Sequence, residues 1–329
     1  MDSGLLVWII PISAISGGAV GWFPRQYWQY RATKREAALD AGKILKEKKA
    51  HIEEMVAGIG DDSQKEELCL QLDEVNAALL GLHAERLRRT LKDAGLPPEE
   101  ALIADGLSQL QPQQITKIKE EVAEAESLPQ SNSIRDLMTL ASAYYYAEQY
   151  EEAKEAYNRI LKLTPNNADA LNNRGVVYAE LERYDDALAD YNRSLELRPN
   201  DAGALNNRGA AYTKLERYDD AFADLNRSLE LRPNDAGALN NRGVMYAKLE
   251  RYDDALADLN RSLELNPDDH GTFYNLACLF SRQGKADDAL TYLEKAININ
   301  KKYQEMAKTD TDFDNIRNDP RFKKLIEPD

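Results

Sequence analysis

Residue types able to do covalent or metal chemistry are few in this chain and are poorly placed for it. The three histidines are His51, His83 and His270, the two cysteines are Cys69 and Cys278, and none has metal-ligand spacing to another. Each histidine reads as a lone surface residue, and Cys278 as a small buried one. No glycine-rich phosphate loop or nucleophile elbow is present, and the paired carboxylates fall where helices should start. Catalysis, a metal and a cofactor are therefore not expected. What recurs instead is amide and cationic chemistry. Asn173, Asn207, Asn241 and Asn275 are spaced by 34 residues, and so are Lys214, Lys248 and Arg282. An amide both donates and accepts, so a row at regular rise can hold an extended peptide backbone whatever its sequence.

The elements that must position these rows are themselves periodic. "GALNNRG" stands at Gly203–Gly209 and Gly237–Gly243, with "DALNNRG" at Asp169–Gly175. Strict spacing means that a supersecondary unit is stacked on copies of itself. Pro165, Pro199, Pro233 and Pro267 each follow an apolar helical run, as a helix stop should. The units then start near Ile134, Ala168, Ala202, Ala236 and His270. Leu171, Gly175 and Tyr178, with their counterparts 34 and 68 residues on, share one face of a first helix. A second helix opens at "RYDDA", where Asp185 and Asp186 and their counterparts suit the positive end of its dipole. The "NRS" sequons at Asn192, Asn226 and Asn260 repeat with the units, so they read as framework and not as glycosylation sites.

This pattern resembles the tetratricopeptide repeat family over residues 134–303, as units 134–167, 168–201, 202–235, 236–269 and 270–303. The small residue of the first helix is Ala141, Gly175, Gly209, Gly243 or Ala277, and that of the second is Ala153, Ala187, Ala221, Ala255 or Ala289. The resemblance implies an all-α solenoid of helical hairpins. Two departures stand out. Glu182, Glu216 and Glu250 replace the family's glycine between the helices, which predicts a stiffer turn. Lys301 replaces the last proline, so the fifth unit's second helix is free to run on. Residues 304–329, above all Asp310 to Ile326, look like the polar cap such a stack requires.

In that family the first helices line a concave groove that receives extended peptides. The resemblance therefore implies groove positions for Asn173, Asn207, Asn241 and Asn275, although the same asparagine can instead bridge helices within the array. Ala210 and Val244 are groove positions at which otherwise near-identical units differ. With Lys214, Lys248 and Arg282 beside them, the groove would favour an acidic or C-terminal peptide, unless the row is simply a solvated face. The Lys/Asn pair with which some members clamp chaperone tails is missing: Asn206 and Ala210, for example, stand in its place.

Ahead of the repeats, residues 4–23 carry no charged side chain and are long enough to span a bilayer core. Residues 1–23 thus read as a membrane anchor, with a cleaved secretory signal as the rival. Arg25, Arg31, Lys34 and Arg35 follow it, which by the positive-inside rule puts the N-terminus outside and the repeats in the cytoplasm. Ser13, Gly17 and Gly21 form a small-residue face suited to dimerisation. Residues 24–60 read as a juxtamembrane helix, 61–127 as a helical spacer that folds as a hairpin or oligomerises, and 128–133 as a linker. The formal net charge of -15 argues against nucleic acid as a partner. The expectation is a single-pass scaffold that binds a protein segment. An exported envelope-assembly factor and a regulatory subunit of a membrane enzyme remain alternatives.

Overall fold

The computed structural model describes residues 133–327 without interruption, residues 82–94 and 112–126, parts of 43–57, and Asn76, Leu79 and Leu96. The expected anchor at 1–23, with Ser13, Gly17 and Gly21, lies outside the described residues, as do Cys69 and residues 97–111 of the expected spacer. Among the described residues no helix is long and apolar enough to cross a membrane.

The described elements are all helical. Helix α1 (Pro112–Glu126) is followed by five hairpins: α2 (Ile134–Tyr146) with α3 (Tyr150–Leu163), α4 (Ala168–Glu180) with α5 (Tyr184–Leu197), α6 (Ala202–Lys214) with α7 (Tyr218–Leu231), α8 (Ala236–Lys248) with α9 (Tyr252–Leu265), and α10 (His270–Arg282) with α11 (Ala286–Ile299). Then come α12 (Lys302–Thr309), a 3₁₀ turn at Thr311–Phe313 and α13 (Pro320–Ile326). Each hairpin packs on the next, and first helices also touch first helices one unit away, as α6 does α4 and α8.

Local sequence sets these boundaries. Every first helix has a side-chain cap. Ser133, Asn167, Asp201, Asp235 and Asp269 accept from backbone N–H groups of the opening turn, satisfying donors that no helical carbonyl can reach. Second helices have no such cap and instead carry acidic pairs in their first turn, such as Asp219 and Asp220 in α7. Between the helices, Glu148, Glu182, Glu216 and Glu250 sit at φ of 57–62°, the left-handed conformation, while the fifth hairpin uses Gly284 at φ 71°. The turn geometry is therefore the same in all five hairpins, and four of them adopt it with a residue whose Cβ opposes it.

The close approach of paired helices explains the glycines. A Cβ on Gly209 would stand 2.7 Å from Leu225 Cγ, one on Gly243 2.8 Å from Leu259 Cγ, and one on Gly175 2.6 Å from Tyr191 Cε1. All are closer than a Cβ can stand unless the facing side chain shifts.

One expectation about the ends changes. The second helix of the fifth unit does not run on through Lys301. It stops at Ile299, where Asn300 adopts an extended conformation and its side chain accepts from Lys302 N–H. Of the expected spacer, residues 82–94 and 112–126 are described and pack on the array. Leu87, Leu91, Ile118 and Val122 share the buried core with Leu137 and Met138 of the first hairpin, and Arg88 pairs with Asp136 at 2.8 Å. These residues close the N-terminal end of the stack. The other end is closed by Phe313, Ile316, Phe322 and Ile326, all buried.

Candidate peptide groove

The polar residues of the repeated motif divide between holding the stack together and facing its concave side. The arginine of "NNRG" is structural. Arg174, Arg208 and Arg242 each make two hydrogen bonds to an aspartate of their own second helix, Asp190, Asp224 and Asp258, at 2.6–2.9 Å. The third branch donates to an asparagine in the second helix of the preceding unit, Asn158 or the sequon residues Asn192 and Asn226, at 2.7–2.8 Å. The sequon serines Ser194, Ser228 and Ser262 are engaged too, donating to the carbonyls of Ala168, Ala202 and Ala236. Tyr212 lies between two guanidinium groups, Arg208 at 5.8 Å and Arg217 at 4.4 Å from its ring centre. Each of the three central units is thus tied to itself and to its predecessor by the same contacts.

The paired asparagines form a ladder along the stack. Asn207 Nδ2 donates to Asn172 Oδ1 at 3.1 Å, Asn241 Nδ2 to Asn206 Oδ1 at 3.0 Å, and Asn275 Nδ2 to Asn240 Oδ1 at 2.8 Å. The first asparagine of one unit accepts from the second asparagine of the next. This modifies the expected row. Asn173 is fully buried and does not line the groove, and its amide oxygen accepts from Asn172 at 3.3 Å within the helix. Asn207, Asn241 and Asn275 do line it, and Asn241 and Asn275 are partly exposed, but one amide hydrogen of each is already used by the stack.

The groove itself is a concave channel of about 850 Å³ formed mainly by the first helices. Ala210, Lys214, Val244, Lys248 and Arg282 are among its lining residues, together with Tyr150, Tyr184 and Glu182 toward the first hairpins and Tyr303 and Met306 toward the last. The basic row is not uniformly open. Asp312, from the 3₁₀ turn beyond the repeats, lies 3.2 Å from Lys248 Nζ and 3.0 Å from Arg282 Nη1. Asp310 accepts from the Tyr274 hydroxyl at 2.7 Å and lies 3.8 Å from Cys278 Sγ. The cap thus folds carboxylates into the C-terminal part of the groove, a contact that periodicity alone does not reveal. Lys214 has no such carboxylate among the described residues.

The histidines are corrected by burial. His51 is exposed, but His83 and His270 are 5% and 3% exposed and belong to the interior. His270 Nδ1 lies 3.0 Å from Tyr303 Oη, and burial lowers its pKa below the ordinary histidine value. Cys278 is buried, and desolvation, with Asp310 and Asp312 close by, pushes its thiol well above the usual range. A thiol held protonated in this way is a poor nucleophile. Cys278, Asp310 and Asp312 stand close enough to share a cation, but Asp312 already faces two cationic side chains.

Three tetratricopeptide repeat family models match end to end, over residues 138–202, 202–235 and 234–302. The array belongs to the tetratricopeptide repeat family. These repeats are a protein-interaction scaffold. Among solved structures, a thermophilic tetratricopeptide repeat protein of Thermus thermophilus is similar at 24% identity and TM-score 0.49 over 53% of this chain and 95% of its own. MamA from Desulfovibrio magneticus RS-1 is similar at 20% identity and TM-score 0.42, covering 53% and 98%. PilW, a type IV pilus biogenesis factor, is similar at 22% identity and TM-score 0.47, covering 60% and 100%. No curated protein matches the chain.

Proposed function

We propose that this tetratricopeptide repeat protein is a membrane-tethered scaffold whose concave groove holds an extended segment of a partner protein. The groove carries the reading. Its frame is rebuilt identically in each central unit by the arginine–aspartate pairs and the asparagine ladder, while groove positions such as Ala210 and Val244 vary. A rigid frame with variable lining is what recognition of a sequence-specific segment requires. The open edges of Asn241 and Asn275 would hydrogen-bond the partner's backbone. Tethering rests on the uncharged stretch at 4–23, and the basic residues that follow favour a cytoplasmic array.

Two experiments test the two halves of this proposal. A photo-crosslinking residue at Val244 should trap a discrete partner in cells, whereas one at Asp253, at the start of a second helix, should not; equal or absent trapping at Val244 would remove the groove reading. A protease directed at a C-terminal tag should cleave only in inverted vesicles. Cleavage in intact cells would place the array on the other side and favour a role in envelope assembly.

A further inference from the structure

A carboxylate of the chain itself, Asp312, is held by the basic row inside the groove, and that contact gives the chemistry of the remainder. Asp312 is shared between Lys248 and Arg282, cations one unit apart in the basic row, at 3.2 and 3.0 Å. Lys214 and Lys248 are the preceding pair in the same row, 34 residues apart like the first, and both line the groove. Lys248 is thus a member of both pairs. No carboxylate of the described residues reaches Lys214, which is exposed at the end of α6. The floor next to it is Ala210, Ala211, Val244 and Ala247, small and apolar, with Asn241 beside them to meet a backbone.

We propose that the gap between Lys214 and Lys248 is the specificity subsite of the groove, and that it takes an aspartate or glutamate of an extended partner peptide. Asp312 acts as a built-in ligand of the adjoining gap and bounds the open part of the groove on that side. This rests on the groove being the partner site. The partner carboxylate would use the same charge-assisted geometry that Asp312 shows, in a concave setting where screening is weaker than on the outer face. With a formal net charge of -15, the molecule as a whole does not steer an acidic segment toward it. Selectivity for acid must then come from local contact with these two lysines.

Three further consequences separate this subsite from a row of solvated lysines. The site should discriminate charge at one peptide position, should lose its preference when the charge of Lys214 is reversed, and should gain strength when Asp312 is removed. That last outcome is unusual, because a structural residue is expected to lose function when it is mutated. Asp312→Asn would release Lys248 from its internal partner and leave a stronger positive pair for the peptide.

The experiment uses the purified full chain and two fluorescein-labelled octapeptides, Gly-Ser-Ser-Thr-Asp-Phe-Gly-Ser and its counterpart with Asn in place of the single Asp, read by anisotropy at two salt concentrations. The Asp peptide should bind roughly tenfold more tightly than the Asn peptide, the size of one charge-assisted contact. Lys214→Glu should erase that preference, and Asp312→Asn should enlarge it, with helix content by circular dichroism unchanged in both. Equal affinity for the two peptides, or an unaltered preference in folded Lys214→Glu, overturns the proposal. The Val244 crosslink separates its failure from that of the groove itself: a crosslink that persists undiminished in Lys214→Glu keeps the groove as partner site and removes the acidic subsite.

Discussion

Arg208 holds Asp224 through two charge-assisted hydrogen bonds, Nε to Oδ2 at 2.6 Å and Nη2 to Oδ1 at 2.8 Å. The same pair recurs as Arg174 with Asp190 and Arg242 with Asp258, so one contact is used three times to lock first helix to second. Both side chains are largely withdrawn from water, at 21% and 10% exposure. Removing one partner therefore strands the other with its desolvation cost. Asp224→Leu should destabilise the chain by about 2 kcal/mol, below the full value for a buried pair because Arg208 keeps Asn192 and some solvent. Arg208→Met combined with Asp224→Leu should cost clearly less than the sum of the single changes. Denaturant unfolding of the four proteins is the measurement, and additive single effects would show that the pair contributes little.

The glycine positions predict a size threshold. Ala141 and Ala277 occupy in the first and last units the position of Gly209, so one methyl is compatible with the repeat when its neighbours adjust. At Gly209, however, a Cβ meets Leu225 Cγ at 2.7 Å and the Ala221 carbonyl oxygen at 3.4 Å. Gly209→Ala should be close to neutral, the gain in helix propensity of about 1 kcal/mol offsetting the crowding. Gly209→Val adds two more carbons at the contact and should cost more than about 2 kcal/mol. Thermal melts of the two variants check this, and a Val variant as stable as wild type would mean that the helices separate freely.

The turn glutamates run the other way. Glu216 and Glu250 hold φ of 59° and 58°, and neither lines the groove. A left-handed L-residue costs roughly 1–2 kcal/mol, and glycine returns about 0.5–1 of that as lost chain entropy. Replacing both by Gly should therefore raise stability by about 1 kcal/mol in total and leave groove binding unchanged. Gly284 already fills this position in the fifth hairpin with open space around it. A melting temperature that falls in the double variant would contradict this reading of the backbone.

The architecture was legible in the sequence because its signal is spacing, and a 34-residue period between Pro165, Pro199, Pro233 and Pro267 admits few physical causes. Partner choice inside that architecture was not. The two asparagines of "NNRG" are chemically identical, and only the rise between units reveals that Asn241 reaches Asn206, 35 residues back, and not a ligand alone. Asp312 was harder still. It occurs once, outside the repeats, 64 residues from Lys248, so no periodicity points to it. The burial of His270 depends on Tyr303 in a helix that starts only after the fifth unit's second helix has ended, and a lone histidine gives no warning of that.

His270 supplies a pH dependence of definite sign. Its ring is buried against the Tyr303 hydroxyl, with Asp269 and Lys302 as its charged neighbours, and desolvation lowers its pKa from 6.5. Asp269 opposes that shift and Lys302 reinforces it. The native state then binds fewer protons than the unfolded chain just below that value. Its contribution to stability is present above pH of about 6.5 and is lost as pH falls through the lowered native pKa. Wild type should lose more stability between pH of about 7.5 and about 5.5 than His270→Gln, which keeps a polar partner for Tyr303 but does not titrate. Because His270 joins the last first helix to α12, the loss should appear first as loosening of the C-terminal cap, read by hydrogen exchange over residues 302–326. Identical pH profiles for wild type and His270→Gln would mean that His270 is solvated in both protonation states and that the His270–Tyr303 contact does not tie the cap to the array.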